Sequence, residues 1–146
     1  VRFIEFMDVG NVNLWEKSDV LTLNDIINII SEKYSVSPLE RNYKSEVAKR
    51  WSYEGGEFGI ISSISKPFCG DCSRVRLTAE GKLFTCLFAS NSHDVKKILR
   101  SSESNISISN YLMDMWSERD DRYSETRMSK NSYKLIKKAE MSYIGG

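Results

Sequence analysis

Whatever this chain folds into has to accommodate three cysteines, Cys69, Cys72 and Cys86, and no others. Three thiols cannot pair completely into disulfides, and nothing in the sequence signals an oxidising compartment. The first two form Cys69-Gly70-Asp71-Cys72. A two-residue spacer lets two thiolates converge on one ion or cluster, and Gly70 relaxes the tight turn between them. Cys86 follows after thirteen intervening residues. Metal ligation is the leading reading; three buried apolar thiols and a redox dithiol are the alternatives. A structural zinc site requires four protein ligands. The one histidine, His93, stands in Asn91-Ser92-His93-Asp94, where a helix begins, and reads as a surface residue near a cap. Three cysteines without a fourth leave one position open, on zinc or on one iron of a 4Fe–4S cluster. An open position is where a substrate binds. Spacing alone does not separate the two metals.

Whether Cys86 can join the other two depends on a hairpin register. Residues 74–78 and 82–88 read as two strands around Ala79-Glu80-Gly81. A two-residue loop would set Val75 opposite Cys86 and turn Cys86 away from Cys72. A three-residue loop with Gly81 left-handed sets Arg74 opposite Cys86. Cys72, Arg74, Arg76 and Cys86 then share one face, because strand side chains alternate. A metal site needs that register, so the three-residue loop is predicted. Arg74 and Arg76 are either an exposed strand face with salt bridges or a clamp for a phosphorylated ligand, since guanidinium binds phosphate in a bidentate way. An open metal position on the same face favours the clamp.

The remaining pattern is mixed. Residues 1–8 are strand-like, and 9–21 form a loop in which Trp15 is a packing anchor. Thr22 caps a helix with Asp25 three residues on; Leu23, Ile26, Ile27 and Ile30 follow the helical period, and the helix ends near Tyr34, before Pro38. Residues 46–53 and 57–65 form a hairpin around Glu54-Gly55-Gly56. Residues 93–101 and 106–118 read as helices, the second with Ile106, Ile108, Leu112, Met113 and Trp116 as a core stripe. The tail carries Arg119, Arg122, Arg127, Lys130, Lys134, Lys137 and Lys138, expected to be a solvated basic face. Lys plus Arg is 21 and Asp plus Glu is 20, a formal +1 that argues against a general nucleic-acid binder. No apolar run reaches the roughly 18 residues of a membrane span, and no signal peptide opens the chain, so a cytoplasmic location is expected. The chain opens on Val1, already in a strand, which suggests a piece of something longer.

Phe68-Cys69-Gly70-Asp71-Cys72-Ser73-Arg74-Val75-Arg76-Leu77, followed by Glu80-Gly81-Lys82-Leu83 and Cys86-Leu87-Phe88, resembles the C-terminal cluster motif of the molybdenum-cofactor biosynthesis protein A family. The spacing of its three cysteines fits that family without a gap. Arg2-Phe3-Ile4-Glu5-Phe6-Met7 resembles the family's last barrel-strand motif, and Met141-Ser142-Tyr143-Ile144-Gly145-Gly146 its double-glycine ending. Arg119-Asp120-Asp121-Arg122-Tyr123-Ser124 is also similar, so the resemblance spans the chain.

The resemblance implies an α/β fold, α+β in the part covered. It would be the C-terminal portion of an incomplete (β/α) radical S-adenosylmethionine barrel, with antiparallel hairpins carrying a cluster site and C-terminal helices. Residues 1–12 would be the last barrel-type strand and loop, and 13–146 the GTP and second-cluster region. The family consists of GTP 3′,8-cyclases. An N-terminal cluster cleaves S-adenosylmethionine to a radical that abstracts the ribose 3′ hydrogen of GTP, and the ribose then closes onto guanine C8. By this resemblance Cys69, Cys72 and Cys86 hold the second 4Fe–4S cluster, whose open iron meets the guanine. Arg74, Val75 and Arg76 bind GTP, mainly its triphosphate. Met7 contacts S-adenosylmethionine through its backbone, Arg2 lies near the reaction centre, and Gly145 and Gly146 form a tail that enters the active site. The N-terminal cluster motif and radical-generating core are absent from this sequence, so the chain alone is expected to be inactive. The first strand is expected to keep an unpaired edge, open to the missing barrel or to a homodimer. The competing reading is a non-enzymatic zinc-knuckle module. A thioredoxin-like dithiol fits less well, because Cys72 runs into a strand rather than a helix.

Overall fold

The computed structural model describes residues 1–127 and 137–144. The chain divides into two compact units. The first comprises Val1–Asp8 and Leu14–Ser73. Its elements are β1 (Arg2–Ile4), α1 (Leu23–Ser31), β2 (Ser37–Pro38), β3 (Lys49–Tyr53) and β4 (Gly56–Ile61). They build a four-stranded sheet in the order β1-β4-β3-β2. β1 runs parallel to β4 with Arg2 opposite Gly59, and the other neighbours are antiparallel. The expected hairpin is present but shorter and tighter: Tyr53 pairs with Gly56, so the turn is Glu54-Gly55 alone, and β4 ends at Ile61 rather than near residue 65. β2 had no clear sequence signal. Its Pro38 is tolerated because β2 is the outermost strand, where one backbone donor fewer matters least.

The capping box at α1 forms as expected. Asp25 N–H donates to Thr22 Oγ1 at 3.3 Å, and Thr22 N–H donates to Asp25 Oδ2 at 2.8 Å. The helix stops three residues short of Tyr34, because the Lys33 and Tyr34 amides both close on the Ile30 carbonyl at 3.1 Å. Leu23 and Ile26 pack on Phe58 and Ile60 to make the main core. A second small core joins Trp15, Val20 and Ile64 with Met7, so Trp15 is the anchor its sequence context suggested. Glu5 ties these parts together. It is 1% exposed, and its carboxylate accepts from the amides of Leu23 (2.7 Å), Ile64 (2.7 Å) and Ser65 (2.8 Å) and from the Ser65 hydroxyl.

The second unit comprises Val9–Asn13 and the chain from Arg74 onward. It contains β5 (Arg76–Leu77), β6 (Lys82–Phe84), β7 (His93–Asp94), α2 (Val95–Leu99), α3 (Asn105–Ser117) and α4 (Tyr123–Thr126). β5, β6 and β7 form a three-stranded antiparallel sheet in that order. Between β5 and β6, Thr78 and Lys82 pair around a three-residue turn, residues 79–81, closed by Gly81 N–H to Thr78 O and Thr78 N–H to Lys82 O, both 2.9 Å. Gly81 has φ +80, and a Cβ there would sit 2.4 Å from Lys96 Cβ. Asp94 caps α2 by accepting from Lys97 N–H at 3.0 Å, and His93 is exposed on β7 beside it. No helix among the described residues is long and apolar enough to cross a membrane.

Two expectations fail in this unit. The stripe on α3 is not a core face: no residue of α3 is buried, and Ile106 and Met113 are 73% and 66% exposed. On a helix of 3.6 residues per turn the five residues spread over an arc of about 160°, with Ile108, Leu112 and Trp116 on its half-buried side and Ile106 and Met113 at its solvent edge. Nor is the tail uniformly solvated. Arg127 and Lys138 are 2% and 8% exposed, and Arg119 lies over the Trp116 ring at 4.8 Å while pairing with Asp121 at 3.1 Å. Lys130 and Lys134 lie outside the described residues.

Candidate functional site

The first two cysteines are brought together by one turn. Cys69–Asp71 is a single turn of 3-10 helix, and Cys72 N–H donates to Cys69 O at 3.2 Å. Cys72 leaves the turn in extended backbone, so the turn brings the two cysteine backbones close together. Asp71, between them, pairs with Arg41 at 2.8 Å, and Arg41 also donates to the Lys44 carbonyl at 3.1 Å. The turn is thus pinned to the loop before β3. All three cysteines are free of disulfides and half-buried. Three soft, partly shielded thiols are a donor set suited to zinc or iron–sulfur chemistry. Among the described residues, no three Cys, His, Asp or Glu side chains are gathered as ligands to one metal ion.

Arg2 and Met7 lie in the same unit. Gly59, opposite Arg2 on β4, leaves room for the Arg2 side chain; a Cβ there would stand 2.8 Å from Arg2 Cδ. Glu57 lies 3.8 Å from Arg2 and 2.5 Å from Arg50. The hydrogen bond from Arg50 holds the Glu57 carboxyl below the usual range and the Arg50 guanidinium above its own. Met7 turns its side chain into the Trp15 core, while Trp15 Nε1–H donates to the Phe6 carbonyl at 2.8 Å. The side chain is therefore committed to packing.

In the second unit Arg76 pairs with Phe84 and Leu77 with Leu83. Continued outward, this register sets Arg74 opposite Cys86, as the three-residue loop required. The strands are shorter than expected, however, and Cys86 falls in the bend after β6. Strict alternation therefore places only Arg76 among the four residues assigned to one face. Arg74 and Val75 are exposed and Arg76 is half-buried.

Cys86 has its own support. The Phe88 amide donates to Cys86 Sγ at 3.5 Å, and the Ala89 amide to the Cys86 carbonyl at 3.3 Å. The Phe88 ring stacks on Tyr123 with centroids 4.5 Å apart. Arg127 and Lys138 lie over both rings, at 4.9 and 5.2 Å for Arg127 and 5.5 and 5.0 Å for Lys138.

Gly145 and Gly146 lie outside the described residues, but the segment before them is anchored within this unit. Asn11 pairs with the Lys138 backbone in both directions, at 2.9 and 2.7 Å. Ala139 N–H donates to Ala89 O at 3.0 Å, and the Tyr143 ring meets Phe84 edge-on. The Tyr143 hydroxyl donates to Glu80 at 2.8 Å, which raises its pKa, and Ile144 is 2% exposed.

Sequence reasoning missed Arg41, Glu57, Asn11, Arg127 and Lys138 as supports of these residues. Arg41 and Asp71 are 30 positions apart, and Asn11 and Lys138 127 apart, so no local pattern marks them.

The model of the Molybdenum Cofactor Synthesis C family matches residues 1–125. Over its whole length the chain is 42% identical to a GTP 3′,8-cyclase of Acidothermus cellulolyticus, covering 47% of that protein. It is 45% identical to one of Xanthomonas campestris pv. campestris (strain B100), covering 42%, and 41% identical to one of Staphylococcus aureus, covering 44%. The chain thus spans less than half the length of these curated relatives.

Proposed function

Because the chain belongs to the Molybdenum Cofactor Synthesis C family, we propose that it is the substrate-binding part of a GTP 3′,8-cyclase acting in molybdenum cofactor biosynthesis. The complete enzyme converts GTP to (8S)-3′,8-cyclo-7,8-dihydroguanosine 5′-triphosphate by radical S-adenosylmethionine chemistry. The observation that carries this reading is 41–45% identity, over the whole chain, to proteins named GTP 3′,8-cyclase. The three half-buried cysteines, none of them in a disulfide, support it.

In this reading Cys69, Cys72 and Cys86 hold a 4Fe–4S cluster. When bound, the cluster supplies an open iron that acts as a Lewis acid toward the guanine. Arg74 and Arg76, with the Val75 backbone between them, bind the triphosphate and offset its charge. The Met7 backbone contacts S-adenosylmethionine, and Arg2, held beside Glu57, lies near the reacting ribose. Gly145 and Gly146 thread toward the ligands, where small residues fit best. Fixed placement of the substrate makes a radical abstraction selective. Residues 1–12 complete a barrel and 13–146 form the GTP and cluster region. β1 is the outermost strand of its sheet among the described residues, with Ile4 57% and Phe6 47% exposed. That edge receives the N-terminal barrel in the complete enzyme, or a second copy of the chain without it.

The test is anaerobic reconstitution of the 146-residue chain with iron and sulfide. About four irons per chain, with a broad thiolate-to-iron absorption, are expected. One tightly held zinc and no iron uptake would favour a zinc-knuckle module and overturn the cyclase reading.

A further inference from the structure

We propose that Arg127, Lys138 and Tyr123 are positioning residues for Cys86. They clamp the Phe88 ring, and so fix the amide that donates to the Cys86 sulfur. The inference rests on the reading that Cys86 is a cluster ligand.

The contacts form a continuous path. Phe88 N–H lies 3.5 Å from Cys86 Sγ, and the Ala89 amide closes the same turn on the Cys86 carbonyl at 3.3 Å. The direction of that amide depends on where the Phe88 ring is held. The ring is fixed on one side by Tyr123, at 4.5 Å and 21° from parallel. Arg127 and Lys138 approach both rings of the pair within 5.5 Å. Arg127 also donates to Ser124 Oγ at 3.3 Å. Residues of a basic tail are ordinarily solvated. These two are 2% and 8% exposed, and both are turned onto the same aromatic pair.

The burial places two positive charges one ring away from the Cys86 turn. Hydrogen bonds to cluster sulfurs, and charge near them, are general determinants of how tightly a cluster is held and of its reduction potential. An amide donor and two nearby cations both favour the more negative, reduced state. Lys138 adds a mechanical link. Its backbone is pinned to Asn11, and the next residue, Ala139, donates to Ala89 at 3.0 Å. The segment leading to the terminal glycines is thereby fastened to the turn that carries Cys86. Tail placement and cluster ligation are then one structural unit.

The test uses the anaerobically reconstituted chain, with iron release to a chelator and the cluster's reduction potential as readouts. Arg127→Met removes the charge and keeps much of the packing; Arg127→Lys keeps the charge. Arg127→Met is expected to release iron roughly tenfold faster, in line with the loss of a supporting contact around a metal ligand. Its potential should shift to more negative values, and Arg127→Lys should restore most of both. Melting curves accompany each variant. If Arg127→Met has lost its cooperative transition, Lys138→Met decides on the same readouts. Wild-type release and potential in the folded charge-removing variant would overturn the inference. Cys86→Ser separates the two levels. If it loses iron while the charge variants match wild type, the positioning role alone fails. If it keeps its full iron, or the wild-type chain takes up none, the cluster reading fails and the inference with it.

Discussion

Glu5 shows how much one side chain can carry. Its carboxylate is buried, accepts three backbone amides and a hydroxyl, and joins β1 to the start of α1 and to the segment after β4. A carboxylate meets such a set of donors; an amide of the same shape presents two hydrogens to them. Glu5→Gln is therefore expected to destabilise the chain by roughly 1.5–3 kcal/mol, the range for hydrogen bonds to a charged group. A urea titration checks it: the midpoint should fall at constant slope, and an unchanged midpoint would refute the account. The arginines beside Val75 make a different kind of claim, because they lie toward solvent rather than in the core. Arg74→Ala or Arg76→Ala should weaken GTP binding to the reconstituted chain about tenfold or more, the worth of a charge-assisted contact. Iron content should stay the same. Equal GTP affinity in both variants and wild type, measured by calorimetry, would remove the triphosphate clamp.

At the scale of elements, the β5–β6 hairpin shows what local chemistry can specify. Gly81 has φ +80, and its missing Cβ makes room for Lys96 at the start of α2. Gly81→Ala should cost about 2 kcal/mol from the left-handed backbone alone, and more from the contact with Lys96. A thermal melt tests this; a melting temperature within a degree of wild type would show that the turn tolerates another conformation. The same turn was legible in the sequence because its signals are adjacent: a glycine at the end of a three-residue loop sets the register by itself. The capping box at Thr22 and Asp25 was legible for the same reason. Cys69 and Cys72 stand at the two ends of one backbone turn, a proximity their two-residue spacer already gave. What stayed hidden depends on distant partners. Arg127 and Lys138 look like solvated tail charges until Phe88 and Tyr123 are stacked beneath them. Arg41 looks like any loop arginine until Asp71 meets it. The α3 stripe misled because an apolar arc does not say how deeply it packs: Ile106 and Met113, at one edge of it, face solvent.

For the whole molecule, the decisive quantity is the number of thiols. The chain has three cysteines, and all three are assigned to one site. A radical S-adenosylmethionine reaction needs a second cluster with ligands of its own, and no cysteine remains to provide them. The chain also spans 42–47% of the relatives named GTP 3′,8-cyclase. Binding and turnover should therefore separate cleanly. Loaded with iron and sulfide and given GTP, S-adenosylmethionine and a low-potential reductant, the 146-residue chain should bind the nucleotide yet form neither 5′-deoxyadenosine nor a cyclised product. Chromatography of the quenched mixture reads both. Product formed by the chain alone would mean that its single cluster both generates the radical and holds the substrate, and the division of labour proposed for Cys69, Cys72 and Cys86 would have to be abandoned. Binding without turnover leaves the chain as a site waiting for a radical made elsewhere. Its work is then geometric: the cysteine turn, the arginine pair and the anchored tail need only hold GTP still enough for one hydrogen to be taken.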